Sequence, residues 1–163
     1  MISKEKFIEA CWPWDEPSDM VIDPDHPEWL SNGRFMAKVG DTSWVNRPVG
    51  REKDFTAVLA TETGERITED ETAREGNEFK KTRCNGCDCG DCKGREYDAR
   101  TNGATNVWRG ASGVGITLSR DATRLLEGLE VFASRVDADK LDTSAVIGTL
   151  NGETVVIVMP RRG

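Results

Sequence analysis

The stretch Cys84-Asn85-Gly86-Cys87-Asp88-Cys89-Gly90-Asp91-Cys92 concentrates four of the chain's five cysteines within nine residues. Thiolates at this density point to a shared metal ion, which four sulfur ligands can surround at the corners of a tetrahedron. Two Cys-x-x-Cys pairs supply the four sulfurs. Asn85-Gly86 and Gly90-Asp91 are residue types that accept the turn or left-handed backbone needed to face both sulfurs of a pair toward one point. A single residue, Asp88, separates the pairs, whereas zinc ribbons and fingers place roughly a dozen or more residues there, so a ribbon is excluded. Three arrangements stay open: a compact local loop, a site that borrows Cys11 or His26, and a metal shared by two chains. The local loop is expected, with Cys84, Cys87, Cys89 and Cys92 as ligands.

The residues around the cysteines bear on which metal this would be. Lys80, Lys81, Arg83, Lys93 and Arg95 flank the cluster with almost no apolar cover, whereas iron-sulfur potentials depend on hydrogen bonding and solvent exclusion. The expectation is structural zinc, with iron-sulfur and metal-free thiols as alternatives. Four thiolates on a divalent ion carry two net negative charges, which the five cations can neutralise from the outer coordination environment. Such a site is coordinatively closed, so it acts as a staple and offers no position for a substrate. Cys89-Gly90-Asp91-Cys92-Lys93-Gly94 resembles one arm of the Cys-x-x-Cys-x-Gly repeats of chaperone zinc domains. The likeness covers six residues, the spaced repeats of that family are absent, and nothing is carried over from it.

The elements that must position this loop are read from periodicity. Ser3 is a plausible N-cap for a helix through Cys11, with Phe7, Ile8 and Cys11 on one side and Pro13 ending it, which makes Cys11 a packing residue. Residues 12–27 hold four prolines and read as an irregular loop. Within it Asp23, Asp25 and His26 tempt an acid–base reading, but Pro24 and Pro27 are expected to hold the stretch extended and its carboxylates solvated and apart. Trp12, Trp14, Trp29 and Trp44 are expected in the core. Short strands are predicted over Arg34–Val39, Thr42–Asn46 and Phe55–Thr61, the last turning at Thr63-Gly64 into residues 65–68. Glu69–Asn77 reads as an exposed helix or a linker, and 96–112 as an ordered loop with Trp108 as its apolar anchor.

A strand over 114–118 is followed by a helix capped by Ser119 and running to Val136, through Ala122, Leu125, Leu126, Leu129, Phe132 and Ala133. The chain then forms a hairpin, 145–150 and 153–159, turning at Asn151-Gly152. Val155–Met159 is apolar throughout, so both of its faces should be covered. Gly110, Gly113 and Gly115 suggest a phosphate-cradling turn, but they precede a strand where such a loop would follow one, and no Gly-Lys-Ser/Thr accompanies them.

The fold class expected is α+β: small antiparallel sheets with two helices, a C-terminal β-α-β-hairpin unit and an inserted four-cysteine metal loop. The organisation expected is a Trp-rich part over 1–78, the cysteine loop with its connector over 79–111 and a C-terminal part over 112–163, together one compact domain.

Of 163 residues, 37% are hydrophobic and 31% charged, with net charge −7. No window reaches the roughly 20 apolar residues that span a bilayer, and no signal-peptide pattern opens the chain, so a cytoplasmic protein without membrane contact is expected. Residues 1–30 carry eight acids against two bases, and 61–78 seven against two. That balance disfavours general phosphate binding and suits a protein partner with a basic surface.

With one histidine and no specific triad, metal pair or nucleotide motif, catalysis is not expected. The leading expectation is an acidic, zinc-stabilised accessory protein that acts by macromolecular binding, as an inhibitor or nucleic-acid mimic in a partner's basic groove. The alternative is a nucleic-acid-binding zinc module that uses Lys80, Lys81, Arg83, Lys93 and Arg95, with Trp108 stacking on a base. An enzymatic reading would rest on Cys11 or on Asp23, Asp25 and His26.

Overall fold

The structure is a computed structural model that describes residues 1–11, 20–45, 53–75, 105–113, 115–135 and 145–158. Within them the chain builds two antiparallel sheets. Strands β1 (Trp29–Ser31), β2 (Phe35–Lys38), β3 (Thr63–Arg66), β7 (Glu130–Ser134), β8 (Val146–Leu150) and β9 (Glu153–Val158) form a six-stranded sheet in the order β1-β2-β9-β8-β7-β3. Strands β4 (Thr68–Glu75), β5 (Thr105–Arg109) and β6 (Gly115–Ser119) form a three-stranded sheet in chain order. The helices are α1 (Lys4–Cys11), α2 (Thr56–Leu59) and α3 (Arg120–Leu125). The mixed class with antiparallel sheets and few helices is as expected. No helix among the described residues is long and apolar enough to cross a membrane.

Local chemistry accounts for the elements that match their prediction. Ser3 Oγ accepts the amide of Lys6 at 3.1 Å and starts α1. At the β8–β9 turn Asn151 has φ 52° and Gly152 φ 80°, the left-handed pair that a two-residue hairpin loop demands. The register of this hairpin shifts between Gly148 and Thr149, and Val155, Val156, Ile157 and Val158 are all buried. Val156 and Val158 face the main core with Leu125 and Leu126, while Ile157 faces a second cluster with Trp29, Met36 and Phe55. Both faces of β9 are therefore covered.

The main core runs through the whole described chain: Phe7 of α1 meets Phe35 of β2 edge to face at 5.7 Å, and the same cluster takes in Ile116, Leu118 and Trp108 from the three-stranded sheet. Ile67, 2% exposed, joins β3 to β4 and so links the two sheets.

Five predicted elements are corrected in whole or in part. Thr42–Val45 is a turn closed by Val45 N–H on Thr42 C=O, not a strand; Asp41 accepts the Ser43 amide, and an Asx turn outcompetes extension here. Asn46 lies outside the described residues. Phe55–Thr61 contains the helical turn α2, because Asp54 accepts the Thr56 amide and Leu59 N–H returns to Phe55 C=O. The helix expected from Ser119 to Val136 ends at Leu125, since Gly128 adopts φ 78° and the chain re-enters the sheet as β7. Residues 69–75, expected as helix or linker, and 105–109, expected within a loop, are strands: Thr68–Glu75 and Thr105–Arg109 pair as β4 and β5, while 76–77 and 96–104 lie outside the described residues.

Candidate metal loop and its scaffold

Cys84, Cys87, Cys89 and Cys92, with Lys80, Lys81, Arg83, Lys93 and Arg95, lie outside the described residues. The structure describes the frame that carries them. β4 and β5 are antiparallel neighbours, and Glu75 and Thr105 are Cα partners in their register, so residues 76–104 leave and return at one place, with facing Cα atoms about 4.5–5.5 Å apart. Five consecutive pairs, from Thr105↔Ser119 to Arg109↔Gly115, fix β5 against β6. Asp70 forms a 3.0 Å ion pair with Arg109 across the hairpin.

Two buried polar contacts root this frame in the core. Asn106, 1% exposed, donates from Nδ2 to Glu69 Oε1 and accepts Arg120 Nε–H at 3.2 Å. It thereby ties β4, β5 and the start of α3 together beside the base of the cysteine segment. Trp108 is 7% exposed and donates from Nε1 to Thr123 Oγ1 of α3 at 3.1 Å. Its ring belongs to the core, so the stacking face expected of it in the nucleic-acid reading is turned inward.

The two outlying candidate ligands are engaged elsewhere. Cys11 is 1% exposed within the core, and its Sγ accepts from Asn32 Nδ2 at 3.6 Å. His26 Nε2 lies 3.3 Å from Thr56 Oγ1 and 4.0 Å from Asp23 Oδ2. Among the described residues no three His, Cys, Asp or Glu side chains are grouped to hold a metal ion.

Asp23 corrects its sequence reading. It is 3% exposed, neither solvated nor extended. Its Oδ1 accepts the Asp25 amide at 2.9 Å and its Oδ2 the Phe55 amide at 2.8 Å, while His26 N–H turns back to Asp23 C=O at 3.0 Å. Pro24 fits the turn because its ring presets the backbone angle the turn uses. The carboxylate thus pins the 20–28 segment to α2. Asp23 and Thr56 both approach the same nitrogen of His26, whereas a nucleophilic triad needs the carboxylate on one ring nitrogen and the hydroxyl on the other. Replacing Asp23 with alanine leaves two amides without acceptors, and the expected loss is about 1–3 kcal/mol per buried donor, read as a lower urea midpoint with an unchanged slope.

The glycine turn does cradle an anion, one that the chain supplies itself. Glu65 Oε1 accepts the Ser112 amide at 2.7 Å and Oε2 the Ser112 hydroxyl at 2.9 Å. These donors hold the Glu65 carboxyl below its ordinary range. The favourable contribution is therefore complete above the unfolded-state pKa, about 4.3, and disappears as pH falls through the lower folded value. Denaturant midpoints measured across this acid window should drop more steeply for the native chain than for Glu65→Gln; parallel slopes would refute the contact's role.

Comparison with protein-family models, with curated proteins and with solved structures finds no match to this chain.

Three features of the frame were missed in the sequence: the Asn106 link, the Glu65 clasp and the burial of Asp23. Each depends on partners distant along the chain. The one local hint was an Asn next to Val107 and Trp108 in the run Thr105-Asn106-Val107-Trp108-Arg109, since a polar residue at a buried strand position calls for a partner.

Proposed function

We propose that this chain is a non-enzymatic accessory protein that binds a protein with a basic surface, as an inhibitor or nucleic-acid mimic in a basic groove. In this proposal zinc held by Cys84, Cys87, Cys89 and Cys92 staples the hairpin loop. The donor set fits the ion: four thiols at Cys-x-x-Cys spacing, on a segment whose two ends are paired through Glu75 and Thr105, can converge without a ligand from elsewhere.

The observation that carries the binding role is the ribbon formed by β3 and β4. Between Glu62 and Glu71 five carboxylates stand against Arg66 alone. The ribbon runs along the edges of both sheets, with Glu62 and Glu71 exposed. Within the fold Arg135 lies on Glu62 at 3.5 Å, Arg109 on Asp70, Asn106 on Glu69 and Ser112 on Glu65. The net excess of acid over base along the ribbon attracts cationic surfaces and speeds encounter with them in a salt-dependent way.

The test uses the full chain immobilised against purified basic nucleic-acid-binding proteins of its host, with duplex oligonucleotide as competitor. Glu62→Lys combined with Glu71→Lys should weaken retention about tenfold, on the order of 1.4 kcal/mol. Direct, salt-sensitive binding of the oligonucleotide by the chain itself, lost on Lys80, Lys81 and Arg83→Ala, would replace this reading with the nucleic-acid module.

A further inference from the structure

Four Asn-Gly pairs occur in the chain, at 32–33, 85–86, 102–103 and 151–152. The first and last lie among the described residues and are held in opposite ways. Asn32 is half-buried. Its Oδ1 accepts the amides of Arg34 at 2.9 Å and Phe35 at 3.0 Å, and its Nδ2 donates to Cys11 Sγ at 3.6 Å. The carboxamide is therefore clamped and cannot swing onto the following main-chain nitrogen. Asn151 stands exposed at the tip of the β8–β9 turn, and its side chain makes no hydrogen bond among the described residues. The next residue is glycine, with no Cβ to shield its nitrogen.

From this contrast we infer that, of the two described Asn-Gly pairs, Asn151 is the one that deamidates spontaneously in the folded chain, and that Asn32 is protected. The main-chain nitrogen of Gly152, after losing its proton to solvent base, attacks Cγ of Asn151. The new N–Cγ bond forms, the Cγ–Nδ2 bond breaks, and Nδ2 takes up a proton and leaves as ammonia, giving a cyclic imide. Water then opens the imide. Cleavage at the Cγ–N bond restores the normal backbone with aspartate, and cleavage at the main-chain carbonyl gives isoaspartate, whose backbone passes through the side chain.

Either product replaces a neutral amide with a carboxylate beside Glu153, itself paired with Lys38. Isoaspartate also lengthens by one carbon a loop that the Leu150↔Glu153 pair must close. β8 and β9 are inner strands of the six-stranded sheet, so the modified turn joins two of its interior strands. It is independent of metal and of any partner, so its failure leaves the proposed function untouched.

The experiment incubates the full chain at mildly alkaline pH in heavy-oxygen water, folded and in denaturant, and follows each Asn-Gly peptide by mass spectrometry with isoaspartate-resolving fragmentation. In the folded chain Asn151 should convert about tenfold faster than Asn32, a barrier difference on the order of 1.4 kcal/mol. In denaturant the two rates should converge. Equal rates in the folded chain, or an Asn151 that reacts only after unfolding, would overturn the inference.

Discussion

Trp108→Ala is expected to lower stability by about 3–5 kcal/mol, the range for removing a buried large aromatic. Total stabilities of domains are about 5–15 kcal/mol, so the variant should be marginal or unfolded. Two separate losses add here. Trp108 fills the main core together with Ile116, Leu118 and Leu125, and its indole N–H is the donor that reaches buried Thr123. Trp108→Phe separates them, because it keeps most of the packing and removes the hydrogen bond, at about 1–3 kcal/mol. Equilibrium denaturation followed by circular dichroism supplies both numbers. An alanine variant within about 1 kcal/mol of the native chain would contradict the burial on which the hairpin frame rests.

The second large effect concerns the cysteines. Replacing Cys87 and Cys89 with serine takes one ligand from each Cys-x-x-Cys pair, and the expected result is complete loss of stoichiometric metal. Structural zinc contributes apparent binding free energies of about 10–16 kcal/mol in small finger peptides, where it drives folding outright. Here the six-stranded sheet is packed through two core clusters, one holding Phe7, Phe35, Leu125 and Val156 and the other Trp29, Met36 and Ile157, so it should survive the substitution. Loss of amide protection should be confined to β4 and β5, whose pairing at Glu75 and Thr105 closes the segment. Hydrogen exchange measured residue by residue separates this outcome from global unfolding, which would mean that the metal is a nucleus for the whole fold rather than a local staple.

What the sequence disclosed followed the range of the interactions involved. The N-terminal helix and the C-terminal hairpin were legible because their determinants are adjacent: the Ser3 cap lies three residues from its amide, and Asn151-Gly152 lies within its own turn. The helix through Val136 was overextended because Leu125, Leu126 and Leu129 keep helical spacing across Gly128. Apolar period alone does not register a positive φ there. β4 escaped notice because the residues described on it, 68–72, are exposed or half-buried, and an edge strand of this kind carries no alternation.

The same division holds at the candidate site. The ligand set was legible from cysteine spacing within nine residues. The frame was not, because the Glu75–Thr105 pair spans the whole cysteine segment and the contacts of Asn106 and Trp108 depend on α3. Asp23 was misjudged for a related reason: its Phe55 partner is 32 residues away, and prolines read as extension where they in fact set a turn.

The measurement that bears most directly on the whole account is the metal content of the intact chain, purified without oxygen or chelator, by elemental analysis alongside native mass spectrometry. One zinc per chain, retained in the monomer and absent after Cys87 and Cys89→Ser, is the predicted result. A chain that carries no stoichiometric metal while its four clustered thiols remain free, or are joined as disulfides, would contradict it.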